Sequence, residues 1–433
     1  MIDEWVKNLR LIYVVIDGMG DRPIRELNSK TPLEVADTPN MDELARNGRN
    51  GLMYTVGRGI APESDVAVLS ILGYDPLKYH TGRGPIEACG VGIDFKDGDL
   101  ALRCNFATLG SDFRIIDRRA GRDLTREEAS ELADTINEMV RLESHPATFE
   151  FRNTLGYRGV LVIRGKGITL SGKITNTDPA YERVAGLGVS KAKVEMTIRK
   201  CKPLEDTLEA RISADLVNEF VEKSHIILKE HEVNKRRIAS GKLSANVILT
   251  RDAGDSLPKL FNICERYNVR FACLVDMPVE RGIAKLAGMQ FINLPPPSGK
   301  IREDLTLRAE RMINILEEYD CFYIHLKGPD EPGHDGDFRR KAELIGAIDE
   351  YFFGNLLPSI DLGDCIICVT ADHATPCELK AHSDDPVPLL ISGGNLEGDG
   401  VSAFSERECS KGSLGTLEHG YELMPMLMNM IGR

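Results

Sequence analysis

Two rhythms of hydrophobic positions alternate along this chain. Short apolar runs rich in β-branched residues and bounded by polar ones occur at Leu11–Ile16, Phe271–Val275 and Cys365–Val369. Continuous runs of this kind predict strands buried on both faces, as in a parallel sheet. Between them lie stretches with apolar residues at helical spacing, over 303–318 and 338–356. Another helix is opened by Thr38-Pro39 and closed by Gly48, a cap-and-proline start with a glycine stop. Asn246–Leu249 reads as a further core strand, Leu257–Tyr267 as a helix and Thr416–Ile431 as a last apolar-faced helix. Residues 85–242 have a different texture, with short strands at Leu100–Cys104 and Val160–Ile163 and amphipathic helices at Thr125–Leu142 and Glu205–Glu230. The pattern predicts an α/β core from residues 1–84 and 243–433, its mostly parallel sheet flanked by helices, and a smaller α+β domain inserted at 85–242.

A length of 433 residues allows two or three domains, and 42% apolar with 28% charged residues is the composition of an ordinary globular protein. The net charge of −13 argues against nucleic acid or an anionic membrane surface as a partner. It leaves room for a small anionic substrate, because a local cluster of arginines or metal overrides the global sign. The amino terminus lacks the basic and apolar regions of a signal segment, and Leu11–Ile16 is too short to cross a bilayer. A cytoplasmic protein is expected. Its ten cysteines are scattered without a framework and read as reduced core residues. Cys365 and Cys368, three apart on a strand, point to opposite faces and do not chelate.

The chemistry gathers where the strands end. Asp17 closes the first strand, Asp372 and His373 close the last, and His382 follows in the next loop. Beyond the apolar CFYIHL come Asp330 and His334, in a segment whose Pro332 and Gly333 predict a loop. Ser64 stands at the start of a helix, where a hydroxyl either caps the backbone or meets a phosphate. Each residue alone has a plainer reading: a cap, an Asp-Gly turn, a structural histidine. Together, six carboxylate and imidazole groups with one hydroxyl suit two divalent metals of the manganese or zinc type. In the inserted region, FRIIDRRAGR sets Arg114, Arg118, Arg119 and Arg122 around Asp117. This is either a solvated face or a guanidinium clamp for phosphate or carboxylate. The glycine pairs at 165–167 and 186–188 lack a dinucleotide-binding context.

LIYVVIDGMGD, DTPNMDELA, Pro62–Ser64, KGPDEPGHDG and TADH resemble the alkaline phosphatase superfamily. DRRAGR, ITNTDPAYERV and HLKGPDEPGHDG narrow the resemblance to its archaeal-type, cofactor-independent phosphoglycerate mutases, over about residues 8–431. The resemblance implies an alkaline-phosphatase-like core and interconversion of 3- and 2-phosphoglycerate through a phosphoserine, without 2,3-bisphosphoglycerate. It implies Asp17, Ser64, Asp372 and His373 as ligands of one metal, with Ser64 the nucleophile, and Asp330, His334 and His382 as ligands of the other. Manganese suits the ligands first, then cobalt or zinc, with magnesium less natural. Arg118 and Arg122 would bind substrate with Asp117, and Arg83, Lys285 and Lys327 would neutralise phosphate. The bacterial members' histidine-rich loop has no counterpart, since His145 is isolated; Asp117 is then either the proton-handling group or a carboxylate held in salt bridges to its flanking arginines. A mutase must shield its phosphoserine from water, so the inserted domain is expected to act as a lid. The alternatives are another phosphatase or phosphomutase of the superfamily, which DRRAGR disfavours, and an inactive metal-binding relative, which would have no need of Ser64. Oligomeric state is not encoded in any pattern seen here.

Overall fold

The apolar runs become the middle of a single eight-stranded sheet. Its order is Gln290–Phe291, Phe271–Leu274, Cys321–Leu326, Arg10–Ile16, Cys365–Thr370, Val387–Gly393, Arg49–Met53 and Gly415–Leu417. The computed structural model describes residues 9–184, 187–190 and 196–433, so the segment before Leu9 and part of the 186–188 glycine pair lie outside the described residues. Arg10–Ile16 pairs in parallel with Cys321–Leu326 on one side and Cys365–Thr370 on the other. Every residue of the latter two strands is buried, as is Leu11–Ile16, which is why these strands read as unbroken apolar runs. Val387–Gly393 joins antiparallel to Cys365–Thr370 and to Arg49–Met53, so the sheet is mostly, not wholly, parallel.

The chain divides into two compact units, 1–79 with 260–276 and 284–433, and 80–259 with 277–283. The second is α+β, as expected. Leu100–Leu109 is its central strand, antiparallel to Arg158–Gly165, Val247–Gly254 and Ile115–Asp117. Helices Arg126–Met139 and Leu208–Lys229 cover the sheet, with Phe220 packed edge-on to Phe149, ring centroids 5.1 Å apart. Thr125 and Glu128 form a reciprocal capping box that starts the first of these helices.

Several boundaries move. The strand expected at Asn246–Leu249 belongs to the inserted unit, because Val247–Gly254 pairs with Leu100–Leu109. The unit therefore runs over 80–259 rather than 85–242, and recruits 277–283 as well. An apolar run signals burial but does not say which sheet buries it. The helix expected over Leu257–Tyr267 spans only Ile263–Tyr267, capped by Asn262. Thr416 lies in the edge strand Gly415–Leu417, and the final helix is Leu423–Met430. All ten cysteines are free thiols, with Cys365 and Cys368 buried in the sheet. No described helix is long and apolar enough to cross a membrane.

One buried cation ties the loops beyond the strand ends together. Lys341, on helix Phe338–Ile348, is fully buried and donates to Gly20 O at 2.9 Å, Asp21 Oδ2 at 2.8 Å and Thr375 O at 2.9 Å. Asp21 also accepts from the Cys377 N–H. Removing one partner of a buried, hydrogen-bonded ion pair strands the other charge. Lys341→Met is expected to lower stability by about 3–5 kcal/mol in urea denaturation, with part of the loss recovered on adding Asp21→Asn. A loss below about 1 kcal/mol, the scale of an exposed pair, would contradict this role.

Candidate active site

Three adjacent parallel strands deliver their carboxyl ends to one edge of the first unit's sheet, where ligands collect in α/β folds. Asp17 follows Arg10–Ile16, Asp330 lies four residues past Cys321–Leu326, and Asp372 lies two past Cys365–Thr370. Asp372 is fully buried, and its Oδ1 accepts the N–H groups of Gly18 and His373, both at 3.0 Å. Its Oδ2 has no hydrogen-bond partner among the described residues and lies 3.3 Å from His373 Nε2. Asp17 Oδ1 is likewise buried without a hydrogen bond, 3.5 Å from His373 Nε2, while its Oδ2 meets Lys327 Nζ at 3.0 Å. Gly18 allows the crowding: at φ +61° a Cβ there would stand 2.7 Å from Asp330 Cα.

The three predicted histidines share one arrangement. His382 Nδ1 lies 2.8 Å from Pro62 O, His334 Nδ1 3.1 Å from Lys380 O, and His373 Nδ1 3.0 Å from Thr375 Oγ1. A carbonyl oxygen can only accept, so His334 and His382 carry a proton on Nδ1. Their Nε2 atoms then face each other at 3.2 Å, each 3.5 Å from Asp330 Oδ1. Two imidazole lone pairs at this separation repel unless a cation lies between them. With a proton as that cation, burial lowers the His382 pKa but Asp330 more than offsets it, pushing it up to about 10. Burial, with the Asp17 charge nearby, holds the Asp372 carboxyl well above its usual range. Burial and His382 hold His373 well below its own.

Orphaned carboxylate oxygens and imidazoles anchored through Nδ1 are the donor set of a metal site with its outer shell in place. Among the described residues, three groupings bring ligand atoms within 4.8 Å of one another: Asp330, His334 and His382; Asp17, Asp330 and His373; and Asp17, Asp372 and His325. His325 is the residue that sequence reasoning missed. It is fully buried on Cys321–Leu326, with Nε2 3.6 Å from Asp372 Oδ2 and Nδ1 3.3 Å from the Tyr323 hydroxyl. An imidazole inside an apolar strand was its one signal.

Two local expectations change. Asp330–Asp335 is a short helix, not a loop. Pro332 falls in its first turn, where no intrahelical N–H is needed, and Gly336 at φ +81° ends it. Ser64 is the first residue of helix Ser64–Ile71 rather than its cap, which is Glu63. Its Oγ is therefore not spent on the helix and lies 3.5 Å from His373 Nε2. Lys327 joins the cluster through Asp17, whereas Lys285 stands exposed in the last turn of helix Pro278–Leu286, with no hydrogen bond or ion pair to these groups.

Within the second unit, the arginine-rich loop is arranged differently from a simple clamp. Arg118 forms a two-pronged pair with Asp178, at 2.8 and 2.6 Å, and lies over the Tyr181 ring. Asp117 Oδ1 accepts the N–H groups of Arg119 and Gly121, which shapes its own turn. Arg122 is exposed at φ +59°. Arg83 is buried against Glu87 at 2.7 Å, and Arg103 approaches the same carboxylate at 3.5 Å. Arg251 stacks on Tyr181 at 3.7 Å from the ring centroid. Burial first, then repulsion from Arg251 and Arg83, lowers Arg103 to about 10. Arg103 and Arg251, set in strands, carried no motif.

A family model described as 2,3-bisphosphoglycerate-independent phosphoglycerate mutase matches residues 45–234. A protein of that name from Aeropyrum pernix is 44% identical over 430 residues, covering 98% of this chain and 100% of its own length. One from Methanosphaera stadtmanae is 42% identical, covering 93% of each. Among solved structures, a Pyrococcus horikoshii protein aligns over 98% of this chain and 97% of its own with TM-score 0.78 and 33% identity. The cofactor-independent phosphoglycerate mutase of Thermoplasma acidophilum aligns over 98% of this chain and all of its own, with TM-score 0.59 and 32% identity. With its strand-end carboxylates and imidazoles and this full-length similarity, the chain belongs to the 2,3-bisphosphoglycerate-independent phosphoglycerate mutases.

Proposed function

We propose that this protein interconverts 3-phosphoglycerate and 2-phosphoglycerate through a phosphoserine on Ser64, without 2,3-bisphosphoglycerate. The observation that carries the proposal is the convergence of Ser64 Oγ, three imidazole Nε2 atoms and the orphaned oxygens of Asp17 and Asp372. Asp17, Ser64, Asp372 and His373 would hold one divalent cation, and Asp330, His334 and His382 a second, with manganese the best match to this donor set. Bound there, the cations would lower the pKa of the serine hydroxyl and neutralise phosphate charge. Ser64 Oγ attacks phosphorus as the ester bond to the 3-oxygen of glycerate breaks. The 2-hydroxyl then attacks the phosphoserine, and the Oγ–phosphorus bond breaks in turn. The Ser64 hydroxyl proton passes to the departing 3-oxygen and the 2-hydroxyl proton returns to the Ser64 oxygen, with Asp117 relaying them, so the proton count closes over the cycle. Lys327 offsets charge at Asp17, and the guanidiniums of Arg83, Arg103, Arg118 and Arg251, with Arg122 at the loop, recognise the anionic substrate. The mutual repulsion felt by Arg103 supports this, because an added anion relieves it. We place the enzyme in the cytoplasm with glycolytic substrates.

Chelated protein is expected to lose conversion of 3- to 2-phosphoglycerate and to regain it with manganese, while Ser64→Ala stays inactive with both metal equivalents bound. Release of free phosphate without the isomer would make the chain a phosphatase instead. In the second unit, Arg251→Met should raise KM about tenfold or more with kcat little changed, and Asp117→Asn should lower kcat about a hundredfold with KM little changed. An Asp117→Asn enzyme with full kcat would assign that carboxylate to its turn alone. If the second unit is a lid, solution scattering will show a smaller radius of gyration with manganese and 3-phosphoglycerate than without; an unchanged radius would remove that role.

A further inference from the structure

The Thr375 hydroxyl lies between the two half-sites and touches both. Its Oγ1 is 2.7 Å from Asp330 Oδ1 and 3.0 Å from His373 Nδ1, and the residue is fully buried. A hydroxyl has one proton to give. Asp330 Oδ1 lies at the shorter of the two contacts, 2.7 Å, and a carboxylate oxygen accepts. The Thr375 proton therefore goes to Asp330, and the hydroxyl oxygen must accept from the imidazole. His373 is then protonated on Nδ1, and its Nε2 lone pair points toward Asp17 Oδ1, Asp372 Oδ2 and Ser64 Oγ.

We infer that Thr375 is a positioning residue that sets the His373 tautomer and couples it to Asp330, so that one hydroxyl orders ligands of both proposed metals. The inference rests on the two-metal reading above. The surroundings hold the hydroxyl in place independently of either ligand. The Thr375 N–H donates to Gly20 O at 3.0 Å, and its carbonyl accepts from the buried Lys341 Nζ at 2.9 Å. On the other side, helix Asp330–Asp335 approaches so closely that a Cβ on Gly333 would lie 2.6 Å from Thr375 O and 2.9 Å from its Cγ2 methyl. The side chain is thus pinned by its backbone and methyl, leaving its hydroxyl geometry determined.

Two experiments test this. In wild-type protein labelled with 15N-histidine and freed of metal, the His373 ring, assigned through its loss in His373→Gln, is expected to be protonated on Nδ1 and bare on Nε2. The opposite tautomer overturns the inference. Cobalt(II) titration followed by visible absorption should show Thr375→Val weakening both equivalents about 10–100-fold, the cost of losing an outer-shell partner. Thr375→Ser, which restores only the hydroxyl, should stay within about threefold of wild type at both. Weakening of both sites by the loss of one hydroxyl is the signature, since a ligand substitution such as His334→Gln acts mainly on one. Equal cobalt affinities in Thr375→Val and wild type overturn the inference alone. Wild-type protein that takes up no cobalt overturns the two-metal reading beneath it. Should Thr375→Val fail to fold by circular dichroism, the tautomer and Thr375→Ser decide.

Discussion

The first unit is organised around an electrostatic problem: three carboxylates and four imidazoles converge, with Asp17, Asp372, His325 and His373 buried. Asp17 and Asp372 each keep one buried oxygen without a hydrogen bond. Left uncompensated, such groups cost several kcal/mol apiece, more than most single interactions return. The surrounding structure makes sense as support for that convergence. Gly18 and His373 spend their backbone N–H groups on Asp372, Lys327 lies against Asp17, and backbone carbonyls fix the rings of His334 and His382. None of these partners removes the need for a cation in the middle. They aim the donors at it.

Sheet topology makes the convergence possible. Arg10–Ile16 sits between two parallel neighbours, with Ile16 opposite Leu326 and Val15 opposite Thr370, so three chain segments emerge side by side in the same direction. An antiparallel neighbour would send its continuing loop to the opposite edge. The switch to antiparallel pairing comes only at Val387–Gly393, beyond the strands that supply carboxylates. Lys341 then fastens the loops after the first and last of these strands through Gly20, Asp21 and Thr375. The second unit solves the opposite problem, gathering guanidiniums that it balances with Glu87 and Asp178 and stacks on Tyr181. A chain of net charge −13 can therefore gather guanidiniums locally against its global sign.

How much of this was legible in the sequence follows from how local each feature is. Buried parallel strands announce themselves as apolar runs, and a carboxylate at the end of such a run lies near a sheet edge whatever the rest of the chain does. Asp17, Asp330, Asp372, His373 and His382 were readable on those grounds. Features that depend on distant partners were not. Val247–Gly254 looks like any core strand until its pairing with Leu100–Leu109 is known. Arg118 was read with its sequence neighbours, yet its counter-ion is Asp178, sixty positions away in sequence. Arg103, Arg251 and His325 sit inside strands, where a polar residue in an apolar run carries no label for what it faces. The Asp330–Asp335 helix was hidden because proline and glycine usually break helices, and only the close approach of Thr375 explains the glycine.

Thr375 shows why a hydroxyl, rather than the more common carboxylate, suits this position beside His373. A carboxylate there would orient the imidazole equally well, but it would add a fourth negative group to a site already holding three. It could not donate to Asp330, and the two carboxylates would repel at 2.7 Å. An amide could donate to one and accept from the other only through separate atoms, which would not occupy the single point that both ligands address. A hydroxyl donates and accepts through one oxygen, and carries no charge. In a site limited by its own negative charge, the outer shell is best built from neutral groups, as the carbonyls behind His334 and His382 also are. The full charges placed nearby are positive: Lys327 meets the Asp17 carboxylate, and Lys341 is directed at backbone oxygens and Asp21.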